Sequence, residues 1–282
     1  MGVPTTKTSV KALLAAHGLH PRRLKGQHFL LDPNLVAAIA AEAEPKKTDC
    51  ILEVGTGTGV LTWRLAEKAG CVVSCDIDGR LQAVAQGAAD WPEHVVFLQD
   101  DILAGKHRLS PGVMDVWQGE RGRRGLKDLL VVSNLPYSVA TPFLMNLLWD
   151  AVGCRDIVVL VQKEVAERFT AAVGTAEYGA VSIVAALLAR PRILRSVGPQ
   201  VFWPRPKVQS ALLRLTPEDP DRARALRERG LPELLHDAFL HRRKTLRKRL
   251  GAKRLEGAGL PIGVRPQEVE PEGWVRLLAS DS

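Results

Sequence analysis

Cysteine and long apolar runs are both scarce in this 282-residue chain, and each scarcity excludes a class of protein. The four cysteines, Cys50, Cys71, Cys75 and Cys154, form no Cys-x-x-Cys pair and have no histidine at metal-ligand spacing. Neither a zinc site nor a disulfide framework is therefore expected. We expect thiols that are buried inside the protein, and a protein that resides in a reducing compartment. No run approaches the roughly 18 apolar residues of a membrane-spanning helix. We predict a cytoplasmic protein with no metal and no membrane partner.

Acidic residues are outnumbered by basic ones. Lys and Arg together number 39 and Asp and Glu 31, which gives a net charge of +8. Such an excess favours a polyanionic partner such as nucleic acid or an anionic surface, although a generally basic proteome would produce the same balance. The first 31 residues contain no acid, and their basic residues are Lys7, Lys11, Arg22, Arg23 and Lys25. We predict that residues 1–25 form a basic N-terminal arm, with an organelle-targeting segment as the alternative.

A strand, a glycine-rich turn and a helix are predicted in succession near residue 50. The apolar residues 50–54 end in Gly55-Thr56-Gly57-Thr58-Gly59, and a helix follows from Val60. The next strand ends in Asp76, about 20 residues after Gly55, which is the spacing of an acid that binds ribose hydroxyls. Val60 stands where the dinucleotide fingerprint has its last glycine. This departure favours a ligand that contains adenosine but no phosphates.

Short apolar strands and helices continue to alternate along the chain. Residues 94–98, 129–133 and 157–161 are mostly apolar, and helical stretches separate them. This order predicts an α/β fold with a mostly parallel sheet covered on both faces. Asp101 and Asn134 follow strand ends, where open α/β sheets bind ligands. In contrast, Leu103 to Lys127 is rich in glycine and basic residues, and we predict a surface loop there.

The turn Asn134-Leu135-Pro136-Tyr137 carries groups that can grip an adenine. If the glycine loop and Asp76 hold the adenosine of S-adenosylmethionine, its activated methyl group needs no metal. The Asn134 oxygen and a backbone carbonyl near Leu135 can accept hydrogen bonds from the adenine amine, while Tyr137 stacks on the base. Phe202 can close the opposite side of this pocket, and the target base must be unpaired or flipped out.

Structural roles remain open for the same residues at this point. The Asn-Leu-Pro-Tyr sequence is also a common β-turn, and Asp76 or Asp101 can cap the helix that follows its strand. A phenylalanine such as Phe202, taken alone, is more often part of a hydrophobic core than a clamp on a base.

A change of composition at Pro217-Glu218-Asp219-Pro220 predicts a domain boundary. We assign residues 26–216 to the sheet domain and residues 217–282 to a small helical domain. Leu235, Phe239, Leu246 and Leu250 are spaced to share one helical face. Residues 241–254 carry eight cations and no acid, a pattern that favours RNA contact over a solvated helix face. The predicted RNA-binding residues are Arg242, Arg243, Lys244, Arg247 and Lys248.

The ordered set of motifs resembles one known family, the ribosomal RNA adenine dimethyltransferases (KsgA family). The matching motifs are Gly26-Gln27-His28-Phe29-Leu30, Glu53-Val54-Gly55-Thr56-Gly57, Asp76, Asp101, Asn134-Leu135-Pro136-Tyr137, Gln162-Lys163-Glu164-Val165, Tyr178-Gly179, Phe202-Trp203-Pro204-Arg205-Pro206-Lys207-Val208-Gln209-Ser210-Ala211 and Arg242-Arg243-Lys244-Thr245-Leu246. They extend over most of the chain.

This resemblance implies a Rossmann-like methyltransferase sheet with a small C-terminal helical domain. It implies that the enzyme uses S-adenosylmethionine to dimethylate N6 of two adjacent adenosines in the terminal hairpin loop of small-subunit ribosomal RNA. The expected partner is a nearly mature pre-ribosomal particle, and the expected state is a monomer. The cofactor-binding positions are then His28, Leu30, Gly55, Thr56, Gly57, Asp76, Asp101 and Asn134. Asn134, Leu135, Tyr137 and Phe202 form the pocket for the target base.

Three residues depart from the usual pattern of the resembled family. His28 stands in place of Asn, Asp76 in place of Glu, and Thr56 in place of Pro. Because His and Asp keep their hydrogen-bonding capacity, we expect altered cofactor affinity at most.

Three other functions are compatible with parts of the sequence. An enzyme of the macrolide-resistance type would modify large-subunit RNA, but the basic Arg-Arg-Lys-Thr-Leu segment and Leu135 argue against it. A non-catalytic RNA-binding assembly or transcription factor would not need the intact Asn134 turn. A small-molecule methyltransferase would share the glycine loop without needing the basic C-terminal segment.

Overall fold

The computed structural model describes residues 3, 6–19, 21 and 28–280. The strands are β1 (Phe29–Leu30), β2 (Asp49–Val54), β3 (Cys71–Asp76), β4 (Val95–Gln99), β5 (Asp128–Asn134), β6 (Cys154–Gln162), β7 (Ala189–Val197), β8 (Phe202–Trp203) and β9 (Ser210–Pro217). The helices are α1 (Lys7–Ala16), α2 (Pro33–Glu42), α3 (Val60–Ala66), α4 (Gly79–Gly87), α5 (Pro111–Arg123), α6 (Ala140–Trp149), α7 (Lys163–Phe169), α8 (Ala180–Leu188), α9 (Pro220–Glu228), α10 (Leu231–Phe239), α11 (Arg247–Leu250), α12 (Ala252–Gly257) and α13 (Pro271–Ala279).

A seven-stranded sheet in the order β4-β3-β2-β5-β6-β9-β7 forms the centre of the molecule. Strands β2 to β6 pair in parallel, and β9 pairs antiparallel with both β6 and β7. The chain winds outward from β2 towards β4 and then returns to β5 on the other side of β2. The gap between the ends of β2 and β5 is therefore the topological switch point, where α/β sheets bind ligands. The predicted Rossmann-like α/β class is confirmed.

The two faces of the sheet are covered by different helices. Along β2 the buried side chains alternate, so that Cys50 and Leu52 join one hydrophobic cluster and Ile51 joins the other. The cluster around Ile51 includes apolar residues of α2 and α3. Asp32 caps α2 through the amides of Asn34 and Leu35, as its position before Pro33 predicts. All four cysteines are unpaired and buried.

The prediction of a surface loop over residues 103–127 is wrong. In place of the predicted surface loop, α5 occupies Pro111–Arg123, and its Val113 and Trp117 are fully buried against the sheet. Ser110 caps the helix by accepting a hydrogen bond from the amide of Val113. Gly119 and Gly122 lower helix propensity by roughly 1 kcal/mol each relative to alanine. Burial of a tryptophan and its neighbours outweighs that cost.

The segment after β9 is helical, but it does not contain one long helix. Helix α10 ends at Phe239 and α11 begins at Arg247, with turns between them. Leu235 and Leu246 nevertheless contribute to one core, together with Trp274 of α13. This core continues into the cluster on one face of the sheet. The division into domains at residue 217 therefore stays a prediction.

Part of the predicted N-terminal arm forms α1. Its Val10 and Leu14 are buried in a small cluster with Phe29, Leu81 and Val84. The remaining basic residues of the arm and the start of the first family motif, namely Arg22, Arg23, Lys25, Gly26 and Gln27, lie outside the described residues. In the part of the chain that the structure describes, no helix has both the length and the apolar character needed to cross a bilayer.

Candidate active site

A cavity of about 420 Å³ opens at the switch point between β2 and β5. Every residue predicted for the cofactor or the target base lines it, namely His28, Leu30, Gly55, Thr56, Gly57, Asp76, Asp101, Asn134, Leu135, Tyr137 and Phe202. The sheet topology explains this convergence, because parallel strands β2, β3, β4 and β5 all end at the same edge. The loops that follow them carry most of these residues.

The glycine loop adopts backbone conformations that other residues rarely take. Gly55, Gly57 and Gly59 have φ angles of +90°, +56° and +81°, in the left-handed region that favours glycine. The Gly55 amide donates to the Cys75 carbonyl over 2.7 Å, which fixes the loop against β3. A Cβ atom on Gly55 would stand 3.3 Å from two ring carbons of Pro136. The loop after β2 and the turn after β5 are therefore in close contact.

Asp76 lies at the end of β3 and is mostly buried. Its Oδ2 accepts from the Gly57 amide over 3.2 Å, and its Oδ1 accepts from the Asp78 amide over 2.9 Å. The N-cap of α4 is Asp78, which accepts from the amide of Arg80. The helix-cap interpretation of Asp76 is therefore wrong, because its carboxylate orders the glycine loop at the cavity wall.

Asp101 is exposed and accepts a hydrogen bond from the Leu103 amide over 2.9 Å. Its neighbour Asp100 also lines the cavity, and the Asp100 Oδ2 accepts from the hydroxyl of Ser110 over 2.8 Å. Sequence reasoning singled out only the second acid of this pair. Both carboxylates make the loop after β4 an acidic wall.

The predicted adenine-binding turn begins at the last residue of β5. Asn134 Nδ2 donates to the His28 carbonyl over 3.3 Å, and the Leu135 amide donates to the Leu160 carbonyl over 3.1 Å. The Tyr137 hydroxyl lies 3.2 Å from the hydroxyl of Ser210. Burial raises the pKa of Tyr137, so its phenol stays protonated at neutral pH. The turn is thus held by hydrogen bonds on both sides.

A two-stranded sheet closes the other side of the cavity. Strands β1 and β8 pair antiparallel, which sets Leu30 beside Phe202. His28 Nδ1 donates to the Pro204 carbonyl over 2.6 Å, and the imidazole ring lies 5.4 Å from the Tyr137 ring. Phe202 is 4% exposed. It therefore forms a fixed wall of the cavity and belongs to a hydrophobic cluster at the same time.

Glu53 also lines the cavity. It belongs to one of the family motifs, but no role was predicted for it from the sequence. Its side chain is 1% exposed, and its Oε2 accepts from the hydroxyls of Thr62 over 2.5 Å and Ser74 over 2.7 Å. Burial raises the pKa of Glu53 to about 7, and the nearby Asp76 adds to the rise. The sequence signal that could have identified it is an acidic residue near the end of the strand, two positions before the glycine loop.

The predicted RNA-binding residues lie outside the cavity lining. Arg243, Lys244, Arg247 and Lys248 are exposed on the turns after α10 and on α11. Arg242 is half-buried and donates to the Thr175 carbonyl over 2.9 Å, which ties this turn to the segment after α7. Among the described residues, no group of three or more His, Cys, Asp or Glu side chains is arranged to hold a metal.

Comparison with known proteins gives one family. Residues 19–260 match the family model described as ribosomal RNA adenine dimethylase. The chain is 38% identical to the "Ribosomal RNA small subunit methyltransferase A" of Shouchella clausii, over 96% of this chain and 93% of the relative.

Solved structures show the same fold. A dimethyladenosine transferase from Plasmodium falciparum superposes with a TM-score of 0.71 at 23% identity, over 89% of this chain and 96% of that one. The 23S rRNA methyltransferase ErmE superposes with a TM-score of 0.57 at 25% identity, over 90% of this chain and 100% of that one.

Proposed function

The chain belongs to the ribosomal RNA adenine dimethylase family, and we propose that it dimethylates N6 of two adjacent adenosines in the terminal hairpin loop of small-subunit ribosomal RNA. The observation that carries this proposal is the single cavity that joins the glycine loop, Asp76 and the Asn134 turn. Relatives similar over nearly the whole chain are named small-subunit methyltransferases, which favours that substrate over large-subunit RNA.

The residues around the cavity fit S-adenosylmethionine. Gly55 and Gly57 bring the backbone of the glycine loop to the cavity wall, and Asp76 and Asp101 offer carboxylate acceptors suited to hydroxyl and amine groups. When bound, this cofactor supplies a methyl group already activated on a sulfonium sulfur. The chain is then required to hold a nucleophile in line with that methyl group and to exclude water.

Asn134 is the residue that we assign to positioning the target amine. Its Nδ2 is engaged by the His28 carbonyl, so Oδ1 of the same amide is the atom available to accept from the adenine N–H. A carbonyl near Leu135 takes the second N–H. These two acceptors favour a pyramidal nitrogen, whose lone pair is otherwise delocalised into the ring. Such positioning can lower a barrier by up to roughly 7–11 kcal/mol in the best-aligned cases.

Tyr137 and Phe202 are proposed to hold the flipped base between them. Stacking on an aromatic ring contributes roughly 1–3 kcal/mol per base. Because Tyr137 stays protonated and bonded to Ser210, we assign it a binding role and no role as a base. His28 donates to a carbonyl and is likewise a wall residue.

The cationic turn after α10 is proposed to hold RNA phosphates. Arg243, Lys244, Arg247 and Lys248 are exposed, and we extend the proposal to Arg242. The partner is a pre-ribosomal small subunit, and the enzyme works as a monomer in the cytoplasm. Incubation with labelled cofactor and immature subunits, followed by mapping of the modified nucleotides, tests this function. Label in large-subunit RNA would instead identify the macrolide-resistance type of activity.

A further inference from the structure

Glu53 is a buried acid that lines the candidate cofactor site, and its hydrogen-bond partners are all neutral. Its two hydrogen-bond donors, Thr62 and Ser74, are hydroxyl groups. Among the described residues, no Lys, Arg or His nitrogen lies within ion-pair distance of its carboxylate. An ionised carboxylate that is buried without a cation is costly. The Glu53 carboxyl group therefore holds its proton more strongly than an exposed carboxyl group does.

A chain of hydroxyl groups connects Glu53 to the glycine loop. When Glu53 is ionised, the Ser74 hydroxyl donates its single proton to the carboxylate, so the Thr56 hydroxyl 2.7 Å away donates to Ser74. All four side chains of this network, including Thr62, are buried. The state of the carboxylate is thereby coupled to the loop that lines the cavity.

We propose that Glu53 is the counter-charge for a cationic group of the bound cofactor, and that cofactor binding expels the proton from the Glu53 carboxyl group into solvent. The inference rests on the proposed S-adenosylmethionine dependence. The only covalent change is loss of that proton. The cofactor offers two cations, a sulfonium and an ammonium, and methyl transfer leaves only the ammonium.

Other titratable groups surround the same cavity and must be separated from Glu53 in any test. They are His28, Cys75, Asp76, Asp100, Asp101 and Tyr137. Of these, Asp76 acts on Glu53 directly, and together with burial it raises the pKa of Glu53 to about 7. A cation in the cavity would oppose both effects. A substitution at Glu53 leaves the other groups in place, so a difference between the two proteins isolates Glu53.

Proton release on cofactor binding is the measurement that tests the proposal. Titration calorimetry with S-adenosylmethionine, in buffers of different ionisation enthalpy, gives the number of protons released without any catalysis. We expect wild type to release about half a proton more than Glu53→Gln at pH 7, and close to one more at pH 6. The wild-type affinity should fall about tenfold more than that of the variant between pH 8 and pH 6.

Ser74→Ala is the matched control, because it breaks the hydroxyl chain and retains the carboxylate. It should keep the proton release that Glu53→Gln loses, whereas a merely structural role would affect both variants alike. Equal proton release by wild type and Glu53→Gln would overturn the proposal. If Glu53→Gln does not fold, the absence of pH-dependent release by wild type alone would overturn it.

The product offers a second comparison. Release with S-adenosylhomocysteine equal to that with the cofactor would support the proposal with the ammonium as the partner, and release with the cofactor alone would support it with the sulfonium. Absence of any cofactor binding by wild type would instead refute the proposed function itself.

Discussion

Replacement of Gly55 by alanine should lower both the stability of the protein and its affinity for the cofactor. Gly55 has a φ of +90°, and holding a non-glycine residue in such a conformation costs roughly 1–3 kcal/mol. The added Cβ would also lie 3.3 Å from Pro136 Cγ and Cδ. Because the proline ring is rigid, the contact should displace the turn that carries Asn134. We therefore expect destabilisation of about 1–3 kcal/mol, accompanied by weaker cofactor binding and slower transfer.

Gly119→Ala is a control that should raise the free energy of unfolding, whereas Gly55→Ala should lower it. Gly119 lies inside α5, and nothing stands within 4 Å of the position that a Cβ on this residue would take. Alanine in a helix interior should stabilise the protein by roughly 0.5–1 kcal/mol. Urea denaturation measures both free energies of unfolding, and calorimetry measures cofactor affinity. If Gly55→Ala were as stable as wild type and bound cofactor normally, the described contact between loop and turn would be refuted.

Two further predictions concern charge. Replacing Arg242, Arg243 and Lys244 by alanine should weaken RNA binding. The slope of log affinity against log salt concentration should become shallower by roughly 0.7 for each phosphate that is no longer bound. The control is Lys68→Ala, at an exposed position after α3, and an unchanged slope in the triple variant would argue against RNA contact. Glu53 has a folded-state pKa of about 7 against an ordinary value of 4.5, so the native state binds more protons and stability should fall by roughly 3 kcal/mol as pH rises from about 4.5 to 7. Urea denaturation across that range should show this fall in wild type and its absence in Glu53→Gln, and parallel pH profiles of the two proteins would contradict the buried, unpaired state of Glu53.

The sheet and its ligand-binding edge were predictable because local patterns determine them. Apolar strands, the glycine turn and the polar residues at strand ends are contiguous in sequence, and parallel pairing brings the ends together. Helix α5 was missed because its glycines and arginines resemble a loop, while the burial of Trp117 is a tertiary contact. Helix propensity is a weak guide where packing decides.

Local sequence patterns also could not predict the role of Glu53 or the end of α10 at Phe239. The role of Glu53 depends on hydroxyl groups of Thr62 and Ser74, which only the packing of α3 and β3 against β2 brings near. The spacing of Leu235 and Leu246 suggested one helical face, and both residues are indeed buried in one core. They reach it from opposite sides of a turn, which residue spacing alone does not reveal.

The central claim is that Asn134 orients a flipped adenine for methyl transfer without acting as a base. Immature small subunits should be incubated with S-adenosylmethionine and either wild type or Asn134→Ala, and the 3′-terminal RNA fragment analysed by mass spectrometry. We predict N6,N6-dimethyladenosine at two adjacent positions with wild type, and no methylation with Asn134→Ala although its RNA affinity is close to normal. Methylation by Asn134→Ala at the wild-type rate, or no modified adenosine with wild type, would contradict the account.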